Sequence, residues 1–318
     1  MSQVNRSALI KVAKLYYYGN MSQEQIAKLM GISRPKVSRM LSMARELNIV
    51  EIVISDSPAG SEQMAEAIKQ RFGLKYVCVV PAGATVQQSR LNAGRAAGSY
   101  LNTVLHDSMY IGVSWGTTMD CMVNQFTLER PVANATVVQI AGGMRTQSFN
   151  IDSRELSLLL AKKLGAQFAL LQAPLLVSRT QVRDILLNEP EFAAHFKLFD
   201  KLDVALVGIG SELPEESVPY KAGNISLEQA KQLVKDGFAT DICGHRIYSD
   251  GSIRENLLTG RVVAIPLERI REVPEVIGVA VGEDKARSII SAARGGFIKA
   301  LITDEISAIS IMGLEGLS

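Results

Sequence analysis

The apolar and polar positions of this chain follow two regimes. Over the first fifty residues the apolar positions recur at helical spacing: Leu9, Ile10, Ala13, Leu15 and Tyr16 or Tyr17 between about Asn5 and Tyr18, then Ile26, Ala27, Leu29 and Met30, then Val37, Met40, Leu41, Ala44 and Leu47. IVEIVISD follows, weakly alternating and β-branched, and predicts a strand or wing. From Lys75 the regime changes to short apolar runs separated by amphipathic stretches. The runs are YVCVVPAG, MYIGVSWG, TVVQIAGG, FALLQAP, DVALVGIGS, RVVAIPL, VIGVAVG and ALITDE. The helices predicted between them are Gln88–Leu105, Thr117–Phe126, Arg154–Leu164, Ser226–Asp236 and Asp284–Arg294. Continuous Val/Ile runs alternating with helices predict a mostly parallel, Rossmann-like sheet buried on both faces.

The second and third helical stripes carry end signals. Ser22 with Gln25 three residues on has the form of a capping box, and Gly31 suits a left-handed C-terminal cap. Ser33 stands where it caps a second helix, with Pro35 in the first turn. Arg34, Lys36, Ser38, Arg39, Ser42 and Arg45 lie largely off the apolar stripe. A short helix, a Gly turn and a basic second helix predict a helix-turn-helix whose second helix enters the major groove. Its candidate DNA contacts are Ser22, Gln23, Ser33, Arg34, Pro35, Lys36, Ser38 and Arg39. The plainer alternative is a solvated helical hairpin. Tyr16, Tyr17 and Tyr18 read as core and rim of a three-helix head rather than as base-stacking rings.

Charge supports the division. Residues 1–50 carry eight Lys or Arg against two acids, a net +6, and the remainder carries 26 bases against 30 acids, a net −4. That is a basic nucleic-acid head on a mildly acidic body. SDSPAG, residues 55–60, marks the boundary, so the expected domains are residues 1–56 and 57–318. The helix from Ser61 to about Phe72 fits either a linker or the start of the second domain. Cys78, Cys121 and Cys243 are too far apart for a disulfide framework or a zinc pattern, and no apolar run nears a membrane span. A cytoplasmic protein without cofactor or metal is expected, with no membrane partner.

Many runs end in Gly or Ser, where open α/β sheets bind ligands. In GVSWGTTM, Gly112, Ser114, Trp115 and Gly116 lead into a helix starting at Thr117 and Thr118, a combination of amides, hydroxyls and dipole that suits an anion. The lysine of a Walker loop is missing. QIAGGM places Gln139, Gly142 and Gly143 at another strand end, with Arg145 just beyond. VGIGS offers Gly208, Gly210 and Ser211; DICGHRIYSDG offers Asp241 and Arg246. VGEDKAR puts Lys285 in a first helical turn, where it opposes the dipole unless an anion is bound, with Asp284 as the expected cap. Together these favour a phosphorylated polar ligand over an empty crevice.

The motifs YYYGNMSQEQIAKLMGISRPKVSRML, RFGLKYVCVV, GVSWGTT, DVALVGIGS, TDICG, GEDKA and GGFIKALITDE, in this order over essentially the whole chain, resemble the SorC/DeoR group of bacterial sugar-binding transcriptional regulators. The resemblance implies an operator-binding head and an effector domain related to sugar-phosphate isomerases and deaminases. It implies that Gly112, Ser114, Trp115, Gly116, Thr117, Thr118 and Lys285 hold an effector phosphate. It also implies a homo-oligomer, commonly a tetramer, whose grip on double-stranded DNA a sugar phosphate alters. Some members hold their effector through a Schiff-base lysine near QIAGG. Here no lysine lies between Val137 and Lys162, which speaks against a covalent adduct. Arg145 is left as a contact to a second phosphate or polar group.

Three functions compete at this point. The first is a regulator of a carbohydrate catabolic operon, controlled by a phosphorylated sugar or polyol. The second is a sugar-phosphate isomerase or deaminase with an appended head, using Asp241, Glu255 and His245 as acid–base groups. The third is a DNA-architectural or partner-docking protein without a ligand, which the row of Gly-ended runs opposes. His106, His195 and His245 are too scattered to argue a metal or a triad, and a +6 helix-turn-helix has little use in an enzyme.

Overall fold

The computed structural model describes residues 6–19, 21–47, 49–50, 58–143 and 152–317. Two compact units divide the chain, residues 1–55 and 56–318. The first contains helices α1 (Arg6–Tyr17), α2 (Gln23–Met30) and α3 (Arg34–Glu46). Ser22 Oγ accepts from the Gln25 amide while the Gln25 side chain accepts from Ser22 N, and Gly31 ends α2 at φ 63°. Ser33 occupies the cap position of α3 in extended geometry, but its side chain makes no capping bond; Pro35 follows in the first turn.

Val12, Ile26, Ala27, Val37 and Leu41 form the centre of the head, and Leu9, Ala13 and Ala44 pack beside Ile49 and Val50. Leu29 and Leu47, expected inside, are 61% and 48% exposed, because three short helices enclose a core narrower than their apolar stripes. Tyr16 and Tyr17 meet edge to face at 5.0 Å, whereas Tyr18 is 84% exposed. The predicted wing falls mainly on residues 51–57, outside the described residues.

The second unit opens with α4 (Pro58–Phe72), whose Ile68 lies in its core and whose Arg71 pairs at 2.7 Å with Glu315, so this helix is part of the unit rather than a separate linker. The strands are β1 (Tyr76–Val80), β2 (Tyr110–Val113), β3 (Thr136–Gln139), β4 (Gln167–Ala169), β5 (Val204–Gly208), β6 (Phe238–Ile242), β7 (His245–Tyr248), β8 (Glu275–Val279) and β9 (Ala300–Asp304). Seven form one sheet in the order β1-β9-β8-β5-β2-β3-β4, with every pairing parallel. Residues alternate between its faces. On β5, Val204 and Leu206 enter one apolar cluster and Ala205 and Val207 the other, and β3 and β8 divide likewise.

The helices following in sequence are α5 (Val86–Val104), α6 (Thr117–Gln125), α7 (Ser153–Leu164), α8 (Thr180–Asn188), α9 (Pro190–Phe196), α10 (Val218–Lys221), α11 (Leu227–Lys235), α12 (Leu267–Glu272), α13 (Ala286–Arg294) and α14 (Glu305–Glu315). Two departures from the sequence pattern matter below. RVVAIPL makes only isolated bridges, Leu176↔Val262 and Ala141↔Ala264, and so laces the end of β3 to residues 173–177 instead of joining the sheet. DICGHRIY forms an antiparallel hairpin, β6–β7, turning at Cys243 (φ 51°) and Gly244 (φ 82°).

Candidate functional site

The chain leaves β2 toward β3 and β4 at one edge, and leaves β5 toward β8 and β9 on the other side. β2 and β5 are neighbours, with Ile111↔Val204 and Val113↔Leu206 in register. Their carboxyl ends are therefore a topological switch point, where an open α/β sheet forms its crevice.

Two glycines bring the loops of that crevice into backbone contact. A Cβ on Gly208 would lie 2.5 Å from the Trp115 carbonyl oxygen. Gly116, at φ 147°, is the N-cap of α6 and supplies no side-chain acceptor for the first-turn amides. Those amides, beside the Thr117 and Thr118 side chains, form the positive end of the helix dipole. The two other candidates of this motif are turned inward. Gly112 lies within β2, where a Cβ would meet Ile140 at 2.7 Å, and Ser114 is 1% exposed with its hydroxyl on the Cys243 thiol. Burial pushes that thiol up to about 12.

Beyond Gly208, the Ile209 carbonyl accepts from Lys285 Nζ at 3.2 Å. Gly210 N donates to the Asp241 carbonyl at 2.9 Å, and Thr240 Oγ1 donates to the Gly210 carbonyl. The Asp241 carboxylate is buried and accepts from Arg246 Nη1 at 3.3 Å; Arg246 Nη2 reaches Ser217 Oγ at 3.3 Å, and the guanidinium stacks 4.5 Å above Phe238. Lys285 lies between these groups. Burial depresses its ammonium below the ordinary lysine value; Asp284 and Asp241 oppose that, Arg90 adds to it, and Glu216 opposes it. Asp284 makes no capping bond: Gly282 precedes the single turn Glu283–Lys285, and Lys285 itself is the N-cap of α13.

The fold thus assembles Trp115, Gly116, Thr117, Thr118, Asp241 and Lys285 from three separate parts of the sequence. Arg90 on α5 and Glu216 are close enough to act electrostatically on the Lys285 ammonium. Main-chain amides, two hydroxyls, an ammonium and a carboxylate are thereby gathered at the carboxyl ends of β2 and β5.

Gln139, Gly142 and Gly143 are used differently. The Gln139 side chain is 1% exposed; its Nε2 donates to the Ala141 carbonyl and meets Ser153 Oγ, and its Oε1 accepts from Leu171 N. Gly142 N and Gly143 N donate to the Val263 and Ala173 carbonyls at 2.9 and 2.8 Å. Arg145 lies outside the described residues. Of the acid–base candidates, Asp241 and His245 point to opposite faces of the hairpin and Glu255 is exposed, so the three do not converge.

Among the described residues no helix is long and apolar enough to cross a membrane. Residues 56–313 match the family described as "Putative sugar-binding domain". The sorbitol operon regulator of Klebsiella pneumoniae is 30% identical over 94% of this chain and 96% of that protein. The deoxyribonucleoside regulator of Bacillus subtilis is 28% identical over 97% of this chain and 98% of its own. The crystal structure of the full-length sorbitol operon regulator SorC superposes with a TM-score of 0.76 at 26% identity, covering 98% of this chain and 100% of that one. The chain therefore belongs to the sugar-binding-domain family of SorC-type transcriptional regulators.

Proposed function

We propose that this regulator binds operator DNA through its N-terminal head and takes a phosphorylated sugar or polyol in the β2/β5 crevice. The observation that carries the reading is the uncapped start of α6 beside the half-buried Lys285. Amides, hydroxyls and an ammonium surround a position for phosphate oxygens, and Asp241 accepts from a sugar hydroxyl. In the head, Ser33, Arg34, Pro35, Lys36, Ser38 and Arg39 are exposed on α3 and the turn before it, while Val37, Leu41 and Ala44 are buried. That face presents arginines to bases and phosphates. Ser22 and Gln23 at the start of α2 lie toward the DNA backbone.

The protein works as a cytoplasmic homo-oligomer, a tetramer in this reading, without cofactor or catalysis. Two heads meet two half-sites about one helical turn apart or a multiple of it. An effector that prefers one subunit arrangement changes operator affinity by the same factor by which DNA changes effector affinity, typically 1–3 kcal/mol. The relatives carry regulator names, and Asp241, His245 and Glu255 do not converge, which weighs against the enzyme alternative.

The test is fluorescence anisotropy on a duplex selected from random sequence, titrated with a panel of sugar and polyol phosphates. At least one compound is expected to shift the operator binding curve. Arg39→Ala is expected to weaken operator binding by about 1–3 kcal/mol while the effector still produces a thermal shift. Undiminished operator affinity in that variant removes α3 from the interface.

A further inference from the structure

The β6–β7 hairpin has two faces. The register pairs Asp241 with Arg246 and Ile242 with His245, and neighbouring residues on a strand point oppositely. Asp241 and Arg246 belong to the crevice described above, and Arg246 also borders the cleft beside His245. His245 belongs to a separate cleft of about 300 Å³ on the other side, lined by Arg183, Glu268, Asn256, Thr259 and Gly260 among others. That volume lies at the lower end of the roughly 300–1,000 Å³ usual for small-molecule sites.

The polar groups of this cleft divide into two sets. One is committed to the protein. Asn256 Oδ1 accepts from Leu258 N, Asn256 Nδ2 donates to the Arg254 carbonyl, and Thr259 Oγ1 accepts from Asn256 N, which together hold the turn at 256–260. The other set is His245, Arg183 and Glu268. The His245 ring bonds the Ile265 carbonyl, yet Nε2 is buried with no partner among the described residues, which assigns the proton to Nδ1. Nε2 is then an orphaned acceptor, a destabilising condition unless a donor is supplied. The imidazole is neutral at neutral pH, since burial first and Arg183 second push it down to about 4. Arg183 is held by Nε donating to the Val262 carbonyl at 2.9 Å, and its Nη1 lies 3.7 Å from Asp184, too long for a hydrogen bond.

We propose that this cleft is a second small-molecule site and that it takes a polyhydroxylated carboxylate, an aldonate. The carboxylate meets the planar fork of Arg183. Hydroxyl groups donate to His245 Nε2 and to the Glu268 carboxylate. A phosphate dianion fits less well, because Glu268 faces it while Arg254 is already paired with Asp250. Arg246 lines both places, but none of the three proposed ligand contacts, Arg183, His245 and Glu268, belongs to the phosphate crevice, so the inference stands or falls separately from it.

Isothermal titration of the full-length protein with D-gluconate, with inorganic phosphate and with sorbitol tests this. Gluconate is expected to bind saturably, once per chain. Arg183→Gln and Glu268→Gln, which alter side chains on the rim of the cleft, are each expected to weaken it by about tenfold, with melting temperatures close to the parent. Lys285→Ala is expected to change it by less than about twofold. No saturable gluconate heat overturns the proposal. So does gluconate binding that survives Arg183→Gln but is lost in Lys285→Ala, which places it in the other crevice. Phosphate binding as tight as gluconate, or sorbitol binding that is, overturns the assigned ligand class.

Discussion

The ends of β2 and β3 look alike as sequence, each an apolar run closing on glycines, GVSWG and QIAGG, yet they do opposite things. At the end of β2, Gly116 has φ 147° and leaves the first turn of α6 without a side-chain cap, so its amides are presented to the crevice. At the end of β3 the glycine amides are consumed by the Val263 and Ala173 carbonyls. Gly142 is outside the left-handed region, and glycine is required there by space: a Cβ would lie 2.6 Å from the Pro174 carbonyl carbon. Glycine admits both an unusual φ and a close backbone approach. A glycine pair at a strand end is therefore a ligand signal only where the backbone amides are left over.

Four measurements bear on that contrast. Lys285→Ala at the β2/β5 crevice is expected to raise the half-saturating sugar-phosphate concentration by about 1.5–3 kcal/mol, roughly 10- to 150-fold, with operator binding unchanged in a gel shift. An unchanged effector response removes Lys285 from the site. Gly142→Ala at the end of β3 is expected to cost about 1–3 kcal/mol of unfolding free energy in a urea titration, with effector affinity of the folded protein preserved. The reverse result, full stability and lost affinity, makes the β3 end part of the ligand site.

The third is an acid profile. His195 Nε2–H donates to the Gln139 main-chain carbonyl at 2.8 Å, and burial holds its imidazole below the ordinary 6.5. Below pH 6.5 the unfolded chain takes up this proton before the folded one, so stability falls as pH drops, by at most about 1.4 kcal/mol per pH unit for one proton. His195→Gln is expected to flatten that part of the profile. His245, held at about 4 chiefly by burial, contributes equally to both proteins and cancels. An unaltered slope detaches His195 from the β3 end. The smallest effect is expected for Thr118→Val, about 0.5–1.5 kcal/mol of effector affinity for one neutral hydrogen bond, by thermal shift at graded ligand concentration; no change shows that the amides, not this hydroxyl, do the binding.

The head was legible because its signals are local. The capping box at Ser22 and Gln25, the left-handed Gly31 and the buried Val37–Leu41–Ala44 stripe each follow from residues three or four apart. Leu29 and Leu47 escaped because an apolar stripe does not state how wide a core the neighbouring helices provide. In the body, the buried strands followed from their apolar runs, but RVVAIPL, with the same composition, became a lacing segment outside the sheet. The hairpin in DICGHRIY has no alternating pattern to announce it, since β6 is buried along its whole length. α14 was missed for a related reason: its apolar residues are spread around the helix, with Ile306 and Ile309 exposed and Ala308 and Ile311 buried.

What the sequence determined by itself is the helices of the head, most of the buried strands and the helices between them, the division into a basic head and an acidic body, and the Gly-ended strands that nominate a crevice. Periodicity, caps and charge are properties of short stretches and need no partner to be read. Tertiary structure alone decided which glycine amides remain unpaired, that Lys285 approaches Ile209, and that Asp241 and His245 face opposite sides of one hairpin. Each of these depends on which strands become neighbours and on which distant carbonyl reaches an amide first, and no local pattern encodes either.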